Sequence, residues 1–597
     1  SIPSLPASRF LAYLDEANSS KARDGYEGIY YPRRARLEQL VIAECMGNDG
    51  RFLTQILDYV WILLEESSWS LPTHIVRQRV GATLPDVGEP IVDLFSAETA
   101  NLLAWTRYLV GSRLDGLSPV IVPRIDGEIR RRILDPCLKR DDFHWMGFKP
   151  KSPRHRPNNW NPWVCSNWLS CILLSEADRD RRVEGVHRVT RVLDNFLEPY
   201  PDDGGCDEGP QYWDKAAGSC FDSLCRLEEA TGGAATIFRN KKVAQMGRYI
   251  AGVHICGDYY YNHADADAAI QPDGPLVYAY GERIDDSALR DHGAWLIGNS
   301  LAETGYAGNT YRAQNLQRML RGLVILSRAG DFDAQPPRFA DTWFAVTEIM
   351  TARDHAGSDA GLFVAAKGGH NHESHNHNDI GSFIVYTDGR PLIVDAGVER
   401  YTARTFGPNR YDLWTMQSAF HSLLPRIDGV DQQDGFDFRS RDVAFTADEH
   451  AASLSLDLAG AYPDRAGVEV WRRRIELYRG AAVEVTDDYR VRPGVGTIEL
   501  AFLTPCAVNL GVPGEIRLDP RPLGGAENDG AAARWSGSGA LDYDGAFFQA
   551  RVEEISTDDE RLGPAWGDRL YRVVLSAENP PSNGALRFRI TGAPVAR

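Results

Sequence analysis

The chain has 597 residues, more than one compact core usually holds, so at least two domains are expected. Its 43% hydrophobic, 25% charged and 10% aromatic composition is globular and excludes a disordered, collagenous or coiled-coil protein. With 83 acidic against 65 basic residues the net charge is -18, which excludes a broad basic surface for nucleic acid and weighs against long-range capture of a polyanion, but says little about one local groove.

The N-terminal SIPSLPASRFLAYLDEA has no basic stretch followed by an apolar run, so no export signal is predicted. No run approaches the length of a membrane-spanning helix, and no membrane partner is expected. From Arg9 to about Arg328 the pattern predicts helices separated by short Gly, Pro and Asp-rich turns. In ETANLLAWTRYLVG, Leu102, Trp105 and Leu109 recur at helical spacing; in RRVEGVHRVTRVLDNFL, Val186, Val189, Leu193, Phe196 and Leu197 form an apolar stripe. A long series of helical hairpins predicts a toroid or solenoid.

Four loops in this half mix aromatic with polar residues. SSWSLPTH offers Trp69 and His74, and RPNNWNPWVCSNW offers Asn159 and Trp160. PDDGGCDEGPQYW sets Asp202, Asp203, Asp207 and Glu208 among three glycines ahead of Tyr212 and Trp213. GDYYYNHADAD supplies Tyr260 and His263. Amides beside aromatic faces suit a carbohydrate, which needs hydrogen bonds and an apolar platform, and a carboxylate pair suits a glycosidase. The plainer reading is a set of satisfied turns with core aromatics, in which Asp202 and Asp207 cap helices.

Nine scattered cysteines without a CxxC pair read as buried free thiols. They favour a reducing compartment, so a cytoplasmic location is expected unless a leader was removed, in which case the periplasm or the exterior is. Of the 65 basic residues only eight are lysine; arginine usage of this kind follows from a GC-rich genome and also suits carboxylate and sulfate recognition.

The segment GDFDAQPPRFADTW, residues 330–343, marks a linker, and alternation dominates beyond it. GSFIVYTDGRPLIVDAG predicts two strands turning at Asp388-Gly389, and VEVWRRRIELY, AAVEVTDDYRV and TIELAFL continue the pattern. The expected domains are therefore a helical one over 1–335 and an antiparallel β-sandwich over 336–597.

GGHNHESHNHND concentrates His370, His372, His375 and His377. On a strand, His375 and His377 would share a face. With Asp395 in LIVDAG and His421 in SAFHSLLP, two imidazoles and a carboxylate make a zinc or manganese site. The alternative is an exposed polar loop at a strand start. Arginine stretches at RDHA, residues 353–356, and GPNRYDLW, residues 407–414, are candidates to meet sulfate or carboxylate, Arg410 foremost because it lies between Asp395 and His421.

Taken together, NNW at 158–160, DEGPQYW at 207–213, HNHNDIGSF at 375–383, DAG at 395–397 and FHSLLP at 420–425 resemble the heparinase II/III family of polysaccharide lyases. That family joins an incomplete (α/α) toroid to an antiparallel β-sandwich. The resemblance implies Tyr212 as the catalytic tyrosine, His375 as the histidine of the catalytic centre and Asn159 as the amide on the uronate carboxylate. It implies a metal on His377, Asp395 and His421, usually zinc, with manganese or calcium as alternatives, in a structural role. Trp160, Trp69, His74, Glu208, Tyr260, His263 and Arg410 are the expected substrate-binding residues. One departure is Trp160, where some members carry His after the Asn, which bears on the uronate epimer accepted.

The expected reaction is β-elimination at a 4-linked uronate, giving C4–C5 unsaturated products from an anionic polysaccharide or oligosaccharide, glycosaminoglycans such as heparan sulfate, heparin, chondroitin or hyaluronan first. An alginate lyase, a glycoside hydrolase using the 202–208 carboxylates and a non-catalytic uronan-binding protein are the alternatives. A homo-oligomer is compatible with the sequence.

Overall fold

The computed structural model describes residues 2–15, 20–149, 156–304, 315–328, 332–402, 404–524 and 534–593. Two compact units result: the first takes Ser1–Tyr200, Asp214–Val243 and Pro272–Gln335, the second Pro201–Trp213, Ala244–Gln271 and Pro336–Arg597.

The first unit is helical. Its Leu94–Leu117 helix starts at a capping box, in which Asp93 Oδ1 accepts from the Ser96 N–H at 2.8 Å and Ser96 Oγ accepts from the Asp93 N–H at 2.9 Å. Most of this helix is buried, Ala97, Leu103, Ala104 and Leu114 among its core residues. It packs on Trp160–Ser175, which in turn packs on Arg179–Leu197 and Ala217–Ala230. In Arg179–Leu197 the buried stripe is Gly185, Val189, Val192, Leu193 and Phe196. Val186 and Leu197, expected inside, are only partly buried, because the stripe runs one position to the side.

The second unit is antiparallel throughout its named sheets. Five strands run in the order Asp341–Phe344, Ile349–Arg353, Leu362–Lys367, Phe383–Thr387, Arg390–Ile393. An eight-stranded sheet includes Val468–Tyr478 and Ala482–Val491, and a four-stranded sheet includes Thr497–Thr504. One core, with Val364, Phe383, Trp471, Phe502 and Phe588 fully buried, draws on all three. The hairpin turn falls at Asp388 and Gly389, whose φ of 48° and 73° suit a two-residue turn with both residues left-handed.

Two differences from the expected division at 335/336 matter for function. The loop Pro201–Trp213 and the segment Ala244–Gln271, though embedded in the helical half of the chain, belong to the second unit. The latter forms a small hairpin, His254–Cys256 with Tyr259–Tyr260, and its backbone serves the five-stranded sheet: Arg353 donates to the His254 carbonyl at 3.0 Å and Thr351 to that of Gly252 at 3.0 Å. The expected linker is also shorter, since its last residues already form the strand Asp341–Phe344.

Candidate active site and metal site

The loop between Leu362–Lys367 and Phe383–Thr387 carries the histidine cluster. His375 and His377, expected to share the face of a strand, lie instead in irregular backbone, and His375 takes a φ of 61°. The loop is pinned from within. Lys367 Nζ lies 3.0 Å from Glu373 Oε2 and 2.9 Å from Asp379 Oδ1, all three side chains being buried. Asn376 donates to the Tyr411 hydroxyl at 3.0 Å and Asn378 to the Gln432 carbonyl at 3.2 Å. Burial pushes the Glu373 carboxyl up to about 7, against the pull of Lys367.

His375 stacks on Tyr212, with ring centroids 4.2 Å apart and planes 20° from parallel. Its Nδ1 lies 2.7 Å from Asp265 Oδ2, and its Nε2 lies 3.5 Å from Glu208 Oε2. The Tyr212 hydroxyl meets that of Tyr401 at 2.6 Å, and Tyr401 donates to Asp265 Oδ2 at 3.1 Å. Burial, with Tyr212 and Asp265 beside it, raises the Tyr401 phenol well above its ordinary value, so Tyr401 stays protonated. Burial opposes the charge of Asp265, but hydrogen bonds from His375 and His377, with Arg410, hold its carboxyl well below the usual range.

His377, Asp395 and His421 come together as expected, all buried, with candidate ligand atoms within 4.8 Å of one another. Asp395 follows the strand Arg390–Ile393 and His421 follows a short 3-10 turn, so loops rather than strands supply all three. His377 Nδ1 and His421 Nε2 are buried and have no hydrogen-bond partner among the described residues. Unpaired imidazole nitrogens beside a carboxylate fit a divalent metal, and this group can bind one.

Several expected substrate contacts are core residues instead. Trp69 is 1% exposed and donates its indole N–H to the Leu63 carbonyl at 2.8 Å. Tyr260 is fully buried and packs on His254. His263 is buried with its Nε2 2.7 Å from the Tyr249 hydroxyl. Arg410 commits its guanidinium to Asn376 O, Thr405 O and Asp265 Oδ1 at 3.0, 2.8 and 2.7 Å, and so holds the site rather than a ligand. Arg353 is likewise spent on backbone carbonyls. A polar loop and a satisfied core turn share one composition, so sequence cannot separate them.

In the first unit, His74 and Trp160 do meet, with centroids 4.8 Å apart. Phe95 and His144 complete a partly exposed aromatic patch, at 5.8 Å from His74 and 4.8 Å from Trp160 respectively. Asn159 is buried and precedes the helix Trp160–Ser175. Sequence reasoning missed Asp265, Tyr401 and Arg561, whose guanidinium lies 4.8 Å from the Tyr401 ring centroid and donates to Asp267 Oδ1 at 2.8 Å. Asp265 lay within GDYYYNHADAD, but its acceptor role depends on residues more than a hundred positions away.

Residues 341–552 match the family model described as Heparinase II/III-like, C-terminal. In three dimensions the chain is similar to a mutant of the heparan sulfate lyase from Pedobacter heparinus, at 11% identity over 95% of this chain and 77% of that one, with a TM-score of 0.60. It is similar as well to the chondroitin AC lyase of Streptomyces coelicolor, at 12% identity over 100% and 80% of the two chains and a TM-score of 0.55. A Paenibacillus xanthan lyase is matched at 11% identity over 95% of this chain and 54% of that one, with a TM-score of 0.52. No curated protein matches the chain in sequence. Residues 341–552 are thus a heparinase II/III-like C-terminal domain, and the fold is an incomplete (α/α) toroid followed by an antiparallel β-sandwich.

Proposed function

We propose that the chain is a polysaccharide lyase that cleaves a 4-linked uronate glycan by β-elimination, a glycosaminoglycan before alginate. The observation that carries this reading is the Tyr212–His375 stack, tied through Tyr401 and Asp265 into one proton-holding network. In the reaction a base removes the C5 proton, the C5–H electron pair becomes the C4–C5 double bond, and the C4–O4 bond breaks with a proton delivered to O4. Where C5–H and O4 share one face of the sugar, Tyr212 serves both transfers. For the opposite epimer His375 takes the C5 proton, Tyr212 protonates O4, and the Asp265 and Glu208 carboxylates flank the imidazolium that forms.

For Asn159 the reading rests on the motif resemblance alone: an amide donor stabilises the carboxylate as charge builds on it. The bound metal, zinc by its two imidazoles and one carboxylate, would supply structural cross-linking of the loops at 377, 395 and 421. Eight of the nine cysteines are buried thiols, which supports a reducing compartment. The hydrolase alternative loses support because Asp203 is committed to the backbone N–H groups of Gly205 and Val346, at 3.0 and 2.6 Å.

The test is incubation with heparan sulfate, chondroitin sulfate, hyaluronan and alginate, followed by ultraviolet detection and product sizing. Unsaturated products with no water incorporated at the cleaved linkage are expected from at least one. Saturated reducing-end products, together with Glu208→Gln proving more damaging than Tyr212→Phe, would establish a hydrolase instead.

A further inference from the structure

The loop carrying Asp265 is fixed on several sides. Ala264 takes a φ of 57°, a conformation rarely adopted by residues with a side chain. A Cβ at Gly209 would lie 2.4 Å from the His263 carbonyl oxygen, and one at Gly397 would lie 2.8 Å from that of Ala266. The glycines of DEGPQYW and DAG thus make room for this one loop. Asn262 donates to the Asp395 carbonyl at 3.0 Å, and Arg561 donates to the Asp265 carbonyl at 3.0 Å.

An ionised carboxylate only accepts, and it offers about four lone-pair positions. Asp265, fully buried, fills them all. Oδ2 faces His375 Nδ1 at 2.7 Å and the Tyr401 hydroxyl at 3.1 Å. Oδ1 faces His377 Nε2 at 3.0 Å and Arg410 Nη2 at 2.7 Å. Both imidazoles must therefore donate to it, and both tautomers follow. His375 keeps its hydrogen on Nδ1 and presents Nε2 to proton exchange. His377 keeps its hydrogen on Nε2 and presents Nδ1, the buried atom without a partner among the described residues, to a metal.

We propose that Asp265 is a positioning residue shared by two centres, orienting through one carboxylate both the reacting imidazole of His375 and the metal-facing imidazole of His377. The His375 arm rests on the lyase reading; the His377 arm does not. Asp265→Asn keeps the shape but replaces one acceptor oxygen with a donor, so at least one imidazole must turn or change tautomer.

The experiment measures zinc affinity by chelator competition, and kcat and KM on whichever of the four polymers the wild type cleaves fastest. In folded Asp265→Asn, zinc binds about 10–100-fold more weakly. With zinc saturating, kcat still falls at least about 100-fold, as expected for a wrong tautomer, while KM moves less than about threefold. Unchanged zinc affinity, or full recovery of kcat in excess zinc, overturns the shared role. Should Asp265→Asn not fold, nitrogen NMR of the histidine-labelled wild type decides: hydrogen on His375 Nδ1 and His377 Nε2 supports the proposal, and either opposite tautomer overturns it. If the wild type cleaves no uronate polymer, the lyase reading fails while zinc competition and NMR still judge Asp265.

Discussion

His263 and His375 are both histidines of polar loops, and what their ring nitrogens meet separates them. His263 meets a single tyrosine hydroxyl, and burial drives its pKa well below the ordinary value, so it stays a neutral core residue. His375 meets two carboxylates and lies against a tyrosine ring, which is an arrangement for moving protons. Tyr212→Phe is expected to leave the unfolding curve unchanged and to abolish turnover; a Phe variant with normal rates would remove Tyr212 from the mechanism. Arg410→Met leaves Asp265 buried without its cation, which costs about 3–5 kcal/mol when a buried pair loses one partner. Urea unfolding measures it, and a loss below about 1 kcal/mol would show that water replaces the guanidinium.

At the scale of elements, the histidine loop depends on its ion triad. Lys367→Met strands two buried carboxylates, Glu373 and Asp379, and is expected to lower stability by about 3–5 kcal/mol and release the loop. Proteolysis between 368 and 382 checks the release; a protected loop would place its stability elsewhere. The small hairpin beside the five-stranded sheet carries a second liability. Burial lowers the His254 pKa from 6.5 to about 4, so the folded state disfavours its proton. Its contribution is complete above about pH 6.5 and is lost as pH falls through 4, a difference of about 3 kcal/mol. Urea unfolding at several pH values should show this acid loss in the wild type and not in His254→Gln.

Across the whole molecule, the charge of -18 opposes a polyanion at long range, although net charge says little about one local groove. If the substrate is a sulfated uronan, kcat/KM should rise as salt is added up to about 0.15 M, where screening shortens the repulsion to about 8 Å. A fall over that range would reveal a positive capture surface that the net charge hides. Metal removal belongs to this scale too. A metal held at 100 times its Kd adds about 2.7 kcal/mol, so chelation should lower Tm and re-addition of zinc should restore it.

Much of the architecture is legible in the chain because hydrophobic periodicity is local. Helical spacing in residues 98–111 and alternation in residues 468–478 each need only their own neighbours. The His377, Asp395 and His421 group is legible for a similar reason, since each sits in a short, distinctive motif. Tertiary structure alone decided the rest. It withdrew Trp69, Tyr260, His263 and Arg410 into the core or the scaffold, and it moved Pro201–Trp213 and Ala244–Gln271 into the second unit. It also brought Asp265 to His375, 110 positions along the chain. Burial and hydrogen-bond partnership across such separations are properties of packing, and no pattern among adjacent residues encodes which acceptor a given imidazole will meet.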